Sequence, residues 1–224
     1  MFDTVSFESY LQRRFRHSMG DGSEVVFESS NDVGLLHQYR LLQDNMLINM
    51  SGARVPAVRI AEDKIHIVAH RGRHCLGGLQ IALKEPESKG FLPVERGGLN
   101  ISALLKHLPV SSVRSAQISD IAVFPDNADE ITEGLLQEAL AELITAKVRF
   151  VFIVAPAGKA RAYGTLASQA GFVTSFIKSS EIGNLDADSD VIQGLLVMDL
   201  APAYKNKNND KQYVINKEHI VYEN

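Results

Sequence analysis

The sequence predicts an α/β domain, a mixed sheet with helices on its faces. Three observations lead there. Residues 64–83 read as two strands joined by a tight turn. Residues 115–147 read as a strand, a stop and a long amphipathic helix. The remaining chain continues as strand, helix, strand, strand, an order that places helices on the faces of one sheet.

The hairpin comes first. Lys64–His70 alternates polar and apolar residues, Arg71-Gly72-Arg73 supplies the turn, and His74–Leu83 returns. Gly77 and Gly78 inside the returning strand mark a bulge or a close backbone approach. Next, Ser115–Phe124 carries Ile118, Ile121, Ala122, Val123 and Phe124, and Pro125 stops it. Thr132–Lys147 follows as a helix, with Leu135, Leu136, Ala139, Leu140, Leu143 and Ile144 on one stripe. Glu130 and Glu133 sit where the helix dipole favours acids. Val148–Val154 is a near-continuous apolar run, the mark of a strand buried on both faces. Lys159–Ala170 reads as a helix closed by Gly171. Phe172–Lys178 and Val191–Leu200 read as strands.

Upstream, Val25–Phe27 marks a strand, and Asn31 and Asp32 offer a cap for a helix over Leu35–Met46. Residues 84–98 read as loop and 99–108 as a short helix. Residues 3–17 place Phe7, Tyr10, Leu11 and Phe15 at helical spacing, with Arg13, Arg14 and Arg16 mostly off that face. A basic lid and a docking helix both fit; the shortness of the basic run favours docking. Residues 204–224 are polar and rich in Asn and Lys, a C-terminal extension. With no repeat and no low-complexity linker, residues 1–203 count as one domain.

Bulk composition narrows the function. The chain has 224 residues, 45% hydrophobic and 22% charged, ordinary values for a globular protein with a real core. A net charge of −4 argues against nucleic acid as a partner. Cys75 is the one cysteine, so no intrachain disulfide forms and an intracellular location is the simpler reading. No signal-type apolar segment and no membrane-spanning run is present, so a soluble, cytoplasmic protein is expected.

Three segments carry a family resemblance. IHIVAHRGRHCLGGLQIAL is similar to the central hairpin of the Gcn5-related N-acetyltransferase (GNAT) superfamily. AQISDIAVFPDNADEITEGLLQEALAEL resembles that family's acyl-carrier-binding strand, loop and helix, and KARAYGTLASQAGFV its helix ending in Gly-Phe. With HQYRLLQDNML and GFLPVERGGLNISALLKHLP, the closer resemblance is to acyl-homoserine-lactone synthases and N-acyl amino acid synthases, over roughly residues 35–175. The resemblance implies a GNAT-like mixed, mostly antiparallel central sheet flanked by helices, with a splayed cleft between strands near 117–123 and 148–154. It implies transfer of an acyl group from a pantetheine thioester, on coenzyme A or an acyl-carrier protein, to a small amine or amino acid. No tightly bound cofactor and no metal is implied. The pantetheine arm would lie beside Ile121, Ala122 and Val123. Its phosphate would meet Asn127, Ala128, Ile131 and Thr132 at a helix N-terminus, where exposed N–H groups favour an anion.

The sequence departs from the family at three places. The 126–132 loop, Asp126-Asn127-Ala128-Asp129-Glu130-Ile131-Thr132, has no glycine and no basic residue, and its three acids oppose a diphosphate by about 1 kcal/mol each at short range. Gln117 stands in place of the family's glutamate base, and Asp120 in place of its arginine. Ala167 stands at the position of the tyrosine acid, with Tyr163 one turn earlier, either a substitute acid or a packed ring.

Asp120, Ser119 and Glu95 are therefore the catalytic candidates. Asp120 would be a substitute base or the partner of an arginine such as Arg114 or Arg149. Glu95 would be a pocket base or, as we favour, a solvated loop acid. Arg40 would hold the early helix over the site or lie on the surface. His66, His70 and His74 lack the paired acids of a metal site and read as the polar outer face of the hairpin. Cys75 reads as a small core residue. If the altered site has lost its chemistry, the alternative is a non-catalytic protein of the same fold that binds a ligand or partner.

Overall fold

The computed structural model describes residues 17–18, 24–51, 64–88, 90–96, 99–178 and 193–201. The expected N-terminal helix over 3–17 and the C-terminal extension lie outside the described residues, apart from the last residue of that helix.

The chain divides into two compact units. The hairpin unit combines the described part of Glu8–Ala82 with Ile118–Glu142. It holds β1 (His17–Ser18), β2 (Glu24–Ser29), α1 (Val33–Ser51), β3 (Ile65–Arg71) and most of β4 (His74–Lys84). It also takes the last six residues of β5 (Ser115–Val123) and most of α4 (Ala128–Thr145). Within it the strands run in the order β1-β2-β3-β4-β5. The pairs β2–β3 and β3–β4 are antiparallel, with Val68 opposite both Glu28 and Gly78. The register slips between Ala69 and His70, a bulge beside the turn that Gly72 makes at φ 60°.

The Leu35–Met46 helix is present and longer than its apolar pattern. Asp32 caps it: its Oδ1 accepts the Leu35 N–H at 2.8 Å. Leu35, Leu36, Tyr39 and Leu42 then pack on Val68, Cys75 and Ala122. Gln38 stitches the helix to the hairpin. Its Oε1 accepts from the Cys75 N–H at 3.0 Å, and its Nε2 donates to the Arg73 carbonyl at 2.9 Å.

The second unit contains α2 (Pro93–Arg96), α3 (Ile101–Leu104), β6 (Phe150–Pro156), α5 (Ala157–Gln169), β7 (Val173–Lys178) and β8 (Gln193–Asp199). Its strands run β6-β8-β7, antiparallel throughout. Phe150, Val151, Phe152 and Ile153 are all buried, as the continuous apolar run predicts. Residues 84–98 are not wholly loop, because α2 forms within them. Its Val94 N–H donates to Gln117 Oε1 at 2.7 Å, so a buried glutamine on β5 holds the turn in place.

Arg149 is the electrostatic anchor of this unit. Its Nε lies 2.6 Å from Oδ1 of Asp199, a fully buried carboxylate that also accepts the Ala201 N–H at 2.8 Å. Arg114, for its part, pairs with Glu85 at 2.9 Å and donates to the Ala146 carbonyl. Glu85 and Asp199 are thus the carboxylates these arginines meet, in place of the pairing with Asp120 that is one of the two readings of that residue from sequence.

Together the described residues form the mixed α/β architecture expected, a mostly antiparallel sheet flanked by helices. No helix among them is long and apolar enough to cross a membrane. Replacing Asp199 with Ala leaves a largely buried guanidinium without its carboxylate, which should destabilise the protein by about 3–5 kcal/mol. Urea unfolding of Asp199→Ala against the wild type checks this.

Candidate functional site

The site is built on a break in β5. Asp120 adopts φ 57°, a left-handed conformation in the middle of a strand. Such a backbone costs a non-glycine residue on the order of 1–2 kcal/mol and persists only when its surroundings hold it. Two side chains of α1 do so. The Tyr39 hydroxyl donates to the Asp120 carbonyl at 2.5 Å, and Gln43 Nε2 reaches the same oxygen at 3.4 Å and the Tyr39 hydroxyl at 2.8 Å.

The two glycines of β4 make room for this. A Cβ on Gly78 would stand 2.7 Å from the Tyr39 ring, so only glycine lets that ring lie against the strand. A Cβ on Gly77 would meet Val123 at 2.7 Å and Ile131 at 3.2 Å. The Gly-Gly pair thus lets Tyr39 of α1 lie against β4 at Gly78, and lets Val123 of the neighbouring β5 and Ile131 of α4 close in at Gly77. The close backbone approach expected from these glycines is present at both positions.

A polar ring closes around Asp120. Lys64 Nζ donates to Gln80 Oε1 at 2.8 Å, and Gln80 hydrogen-bonds the Tyr39 hydroxyl. Tyr39 holds the Asp120 carbonyl, and the Asp120 carboxylate accepts from Ser119 Oγ at 2.8 Å. Lys64 Nζ, 3.9 Å from Asp120 Oδ2, completes the circuit. Lys64 is therefore the cation beside Asp120. The Asp120 side chain is 48% exposed, so it is open to an incoming molecule.

His66 belongs to the same cluster. It lies opposite Gln80 in the β3–β4 register and is only 5% exposed. By strand alternation it shares the face of Val68, which α1 covers, so it is not on the polar outer face expected of the hairpin histidines. His70 and His74 are less enclosed; His70 Nδ1 lies 2.9 Å from the Gly72 carbonyl oxygen. Burial, then the neighbouring Lys64, pushes the His66 imidazole below the ordinary histidine range, while Asp120 opposes the shift. Its Nε2 is buried without a hydrogen-bond partner among the described residues. Burial, reinforced by the charge of Asp120, also raises the Tyr39 phenol well above its usual value. Both groups are neutral at physiological pH.

The other candidates fall as follows. Glu95 is in the second unit and is no solvated loop acid. Both its oxygens lie 2.9 Å from Lys84 Nζ, one also accepts the Leu92 N–H at 2.8 Å, and the side chain is 8% exposed. Ile121 and Val123 are half-buried and Ala122 is buried. The expected phosphate loop is shorter than its sequence suggests. Helix α4 begins at Ala128, not Thr132, because Asp129 and Glu130 favour its first turn rather than interrupt it. Asn127, at φ 59°, precedes that turn, and its carbonyl accepts the Ile131 N–H at 3.0 Å. Ile131 turns its side chain into the core, and Ala128 and Thr132 are half-buried on the helix.

Tyr163 and Ala167 share the buried face of α5, the packed arrangement. Arg40 is half-buried on α1. Cys75 is a core thiol that burial pushes up to about 11. Among the described residues no cluster of His, Cys, Asp or Glu could hold a metal ion.

The sequence pattern missed Tyr39, Gln43, Lys64, His66 and Gln80 as a group. Only the two glycines signalled that something lay against β4. Tyr39→Phe removes the hydroxyl that clamps Asp120 and should destabilise the protein by about 1–2 kcal/mol. Gly78→Ala should cost more, since the ring itself must move. Paired thermal and urea melts test both the size and the order of these losses.

No family model matches the chain, and no curated protein matches it in sequence. Solved structures do match. FeeM, an N-acyl amino acid synthase from uncultured soil microbes, aligns with a TM-score of 0.56 at 13% identity, over 79% of this chain and 91% of that one. The acyl-homoserine-lactone synthase LasI aligns at 0.50 and 15%, over 80% and 91%. An N-acetyltransferase from Staphylococcus aureus Mu50 aligns at 0.51 and 14%, over 80% and 99%. At such identities the likeness is one of fold. The chain carries the fold of the Gcn5-related N-acetyltransferase superfamily, which it shares with solved structures of the acyl-homoserine-lactone synthase branch.

Proposed function

We propose that this protein is an N-acyltransferase that moves an acyl group from a pantetheine thioester to a small amine or amino acid. The observation that carries the reading is the clamped, left-handed Asp120 within β5. A residue turned out of the strand conformation interrupts the ladder and re-aims the backbone around it. In this reading the backbone of Ile121, Ala122 and Val123 takes the amides of the pantetheine arm as an added strand would. Ser119 and Asp120 lie beside the thioester, where the exposed carboxylate receives the acceptor's ammonium group. Residues 1–203 act as one acyltransferase domain in the cytoplasm, with no tightly bound cofactor.

An acyl-carrier protein is the donor this reading favours over free coenzyme A. Asp126, Asp129 and Glu130 surround the start of α4, and residues 125–132 contain no cation. The dipole and N–H groups of the helix attract a phosphate, but each acid at short range opposes it by about 1 kcal/mol. One phosphate, as on a carrier-protein arm, meets less of this repulsion than a diphosphate.

A second reading has its own support. Gln117 cannot accept a proton at neutral pH and is committed to holding Val94. Glu95 is committed to Lys84. A protein of this fold that binds an acyl ligand without transferring it fits both facts.

Thermal denaturation with acetyl-coenzyme A, a long-chain acyl-coenzyme A and an acylated carrier protein tests the proposal, because a ligand of the folded state must raise the midpoint. Stabilisation strongest with the acylated carrier protein is expected; no shift with any of the three rejects the function. Acyl transfer to pooled L-amino acids then separates catalysis from binding alone. A further consequence concerns Asp126→Asn with Asp129→Asn. Each neutralisation should tighten acyl-coenzyme A by roughly fivefold at low salt, about 1 kcal/mol apiece. Titration calorimetry at two salt concentrations measures this, and the gain should shrink at the higher one.

A further inference from the structure

We infer that His66 is the group that takes the acceptor's proton during transfer. This inference rests on the acyl-transfer reading above. Three facts of geometry point to it. First, every carboxylate and amide expected to act as a base is engaged. Glu95 is held by Lys84 and the Leu92 N–H, and Gln117 is held by Val94. Asp120 accepts from Ser119 and, in the reading above, its exposed carboxylate is occupied by holding the acceptor's nitrogen. Second, His66 Nε2 is buried with no partner among the described residues. An unsatisfied buried polar atom costs on the order of 1–3 kcal/mol, and its retention calls for a role. Third, His66 stands opposite Gln80 in the β3–β4 register and two residues from Lys64, both members of the polar ring beside the β5 break.

The charged groups acting on the ring are Lys64, just before its own strand, and Asp120 from β5. Tyr39 from α1 and Cys75 from β4 are protonated at neutral pH and add no charge. Burial and Lys64 outweigh Asp120, so the imidazole is neutral and keeps a lone pair for a proton. That lone pair is on Nε2 when the ring proton sits on Nδ1.

The step balances as follows. The acceptor's ammonium first gives one proton to solvent; the amine lone pair then attacks the thioester carbonyl carbon and the C–N bond forms. One proton of the attacking nitrogen passes to His66 Nε2. The tetrahedral intermediate collapses, the C–S bond breaks, and the departing pantetheine sulfur takes the proton back from the imidazolium. An amide and a free thiol result, and the imidazole is regenerated.

Two measurements test the assignment. Thiol release is followed from octanoyl-coenzyme A and from octanoylated carrier protein, with pooled L-amino acids as acceptors, in the wild type, His66→Gln and His66→Ala. His66→Gln should lose a hundredfold or more in kcat/KM. The wild-type rate should rise with pH through a base whose pKa lies below the ordinary histidine value of about 6.5, and that limb should vanish in the variant. Added imidazole should restore part of the activity to His66→Ala, which a structural role would not allow. Nitrogen NMR of the histidines in the intact wild-type chain, assigned by difference from His66→Gln or by through-bond correlation, should show His66 neutral at pH 7 with the proton on Nδ1.

Wild-type transfer that His66→Gln leaves unchanged overturns the base and spares the acyltransferase. No transfer from either donor by the wild type overturns both. A protonated Nε2 at neutral pH overturns the base whatever the activity, so a variant that fails to fold does not shelter the proposal.

Discussion

The hydrogen bond from the Tyr39 hydroxyl to the Asp120 carbonyl is the constraint on which the site depends. It joins two elements 81 residues apart in the chain, α1 and β5. It forms only because Gly78 has no side chain, so that the ring can lie against β4 and extend its hydroxyl to the next strand. Removing the methyl group that alanine would carry is the smallest change in covalent structure with this effect. What it holds is a left-handed backbone in a strand, a conformation that local preferences oppose.

The polar ring follows from that clamp. Lys64, Gln80, Tyr39 and Asp120 connect in a circuit whose members are mostly buried, and a satisfied buried network is stiff because each missing bond would be expensive. His66 stands apart beside it, since its buried Nε2 has no hydrogen-bond partner among the described residues. The enclosure lowers the imidazole's basicity and so keeps the ring neutral, with its lone pair free, at physiological pH. Burial favours the neutral form of both groups, with different results: it makes the Cys75 thiol inert and leaves the imidazole its lone pair.

Charge separates the two units chemically. In the second unit the acids Glu95 and Asp199 each meet a cation at 2.6–2.9 Å and are consumed by structure. In the hairpin unit the Asp120 carboxylate meets its cation only at 3.9 Å and remains about half exposed. A carboxylate of the first kind anchors a fold. One of the second kind retains capacity to bind a ligand, which in the acyl-transfer reading proposed above is the acceptor's ammonium group.

Much of the architecture was legible in the residues themselves. Strand alternation gave away the hairpin, the 3.6-residue stripe gave away α4, and the unbroken apolar run of 150–153 announced a strand covered on both faces, because each pattern records which side of a local element meets water. Asp32 as a cap and Gly171 as a helix stop follow from short-range backbone chemistry and also stand. The start of α4 was misplaced by four residues because the apolar stripe that marks the helix begins only at Ile131, whereas Ala128, Asp129 and Glu130 already form its polar first turn. What the sequence could not disclose is which polar groups meet. Glu95 looks like a loop acid and His66 like a hairpin surface residue, since nothing local says that Lys84 will cover one or α1 the other. Those identities depend on partners brought from distant parts of the chain. The sequence alone therefore determined the elements and their order, whereas only the tertiary structure decided that Tyr39, Lys64, His66, Gln80 and Asp120 make one site.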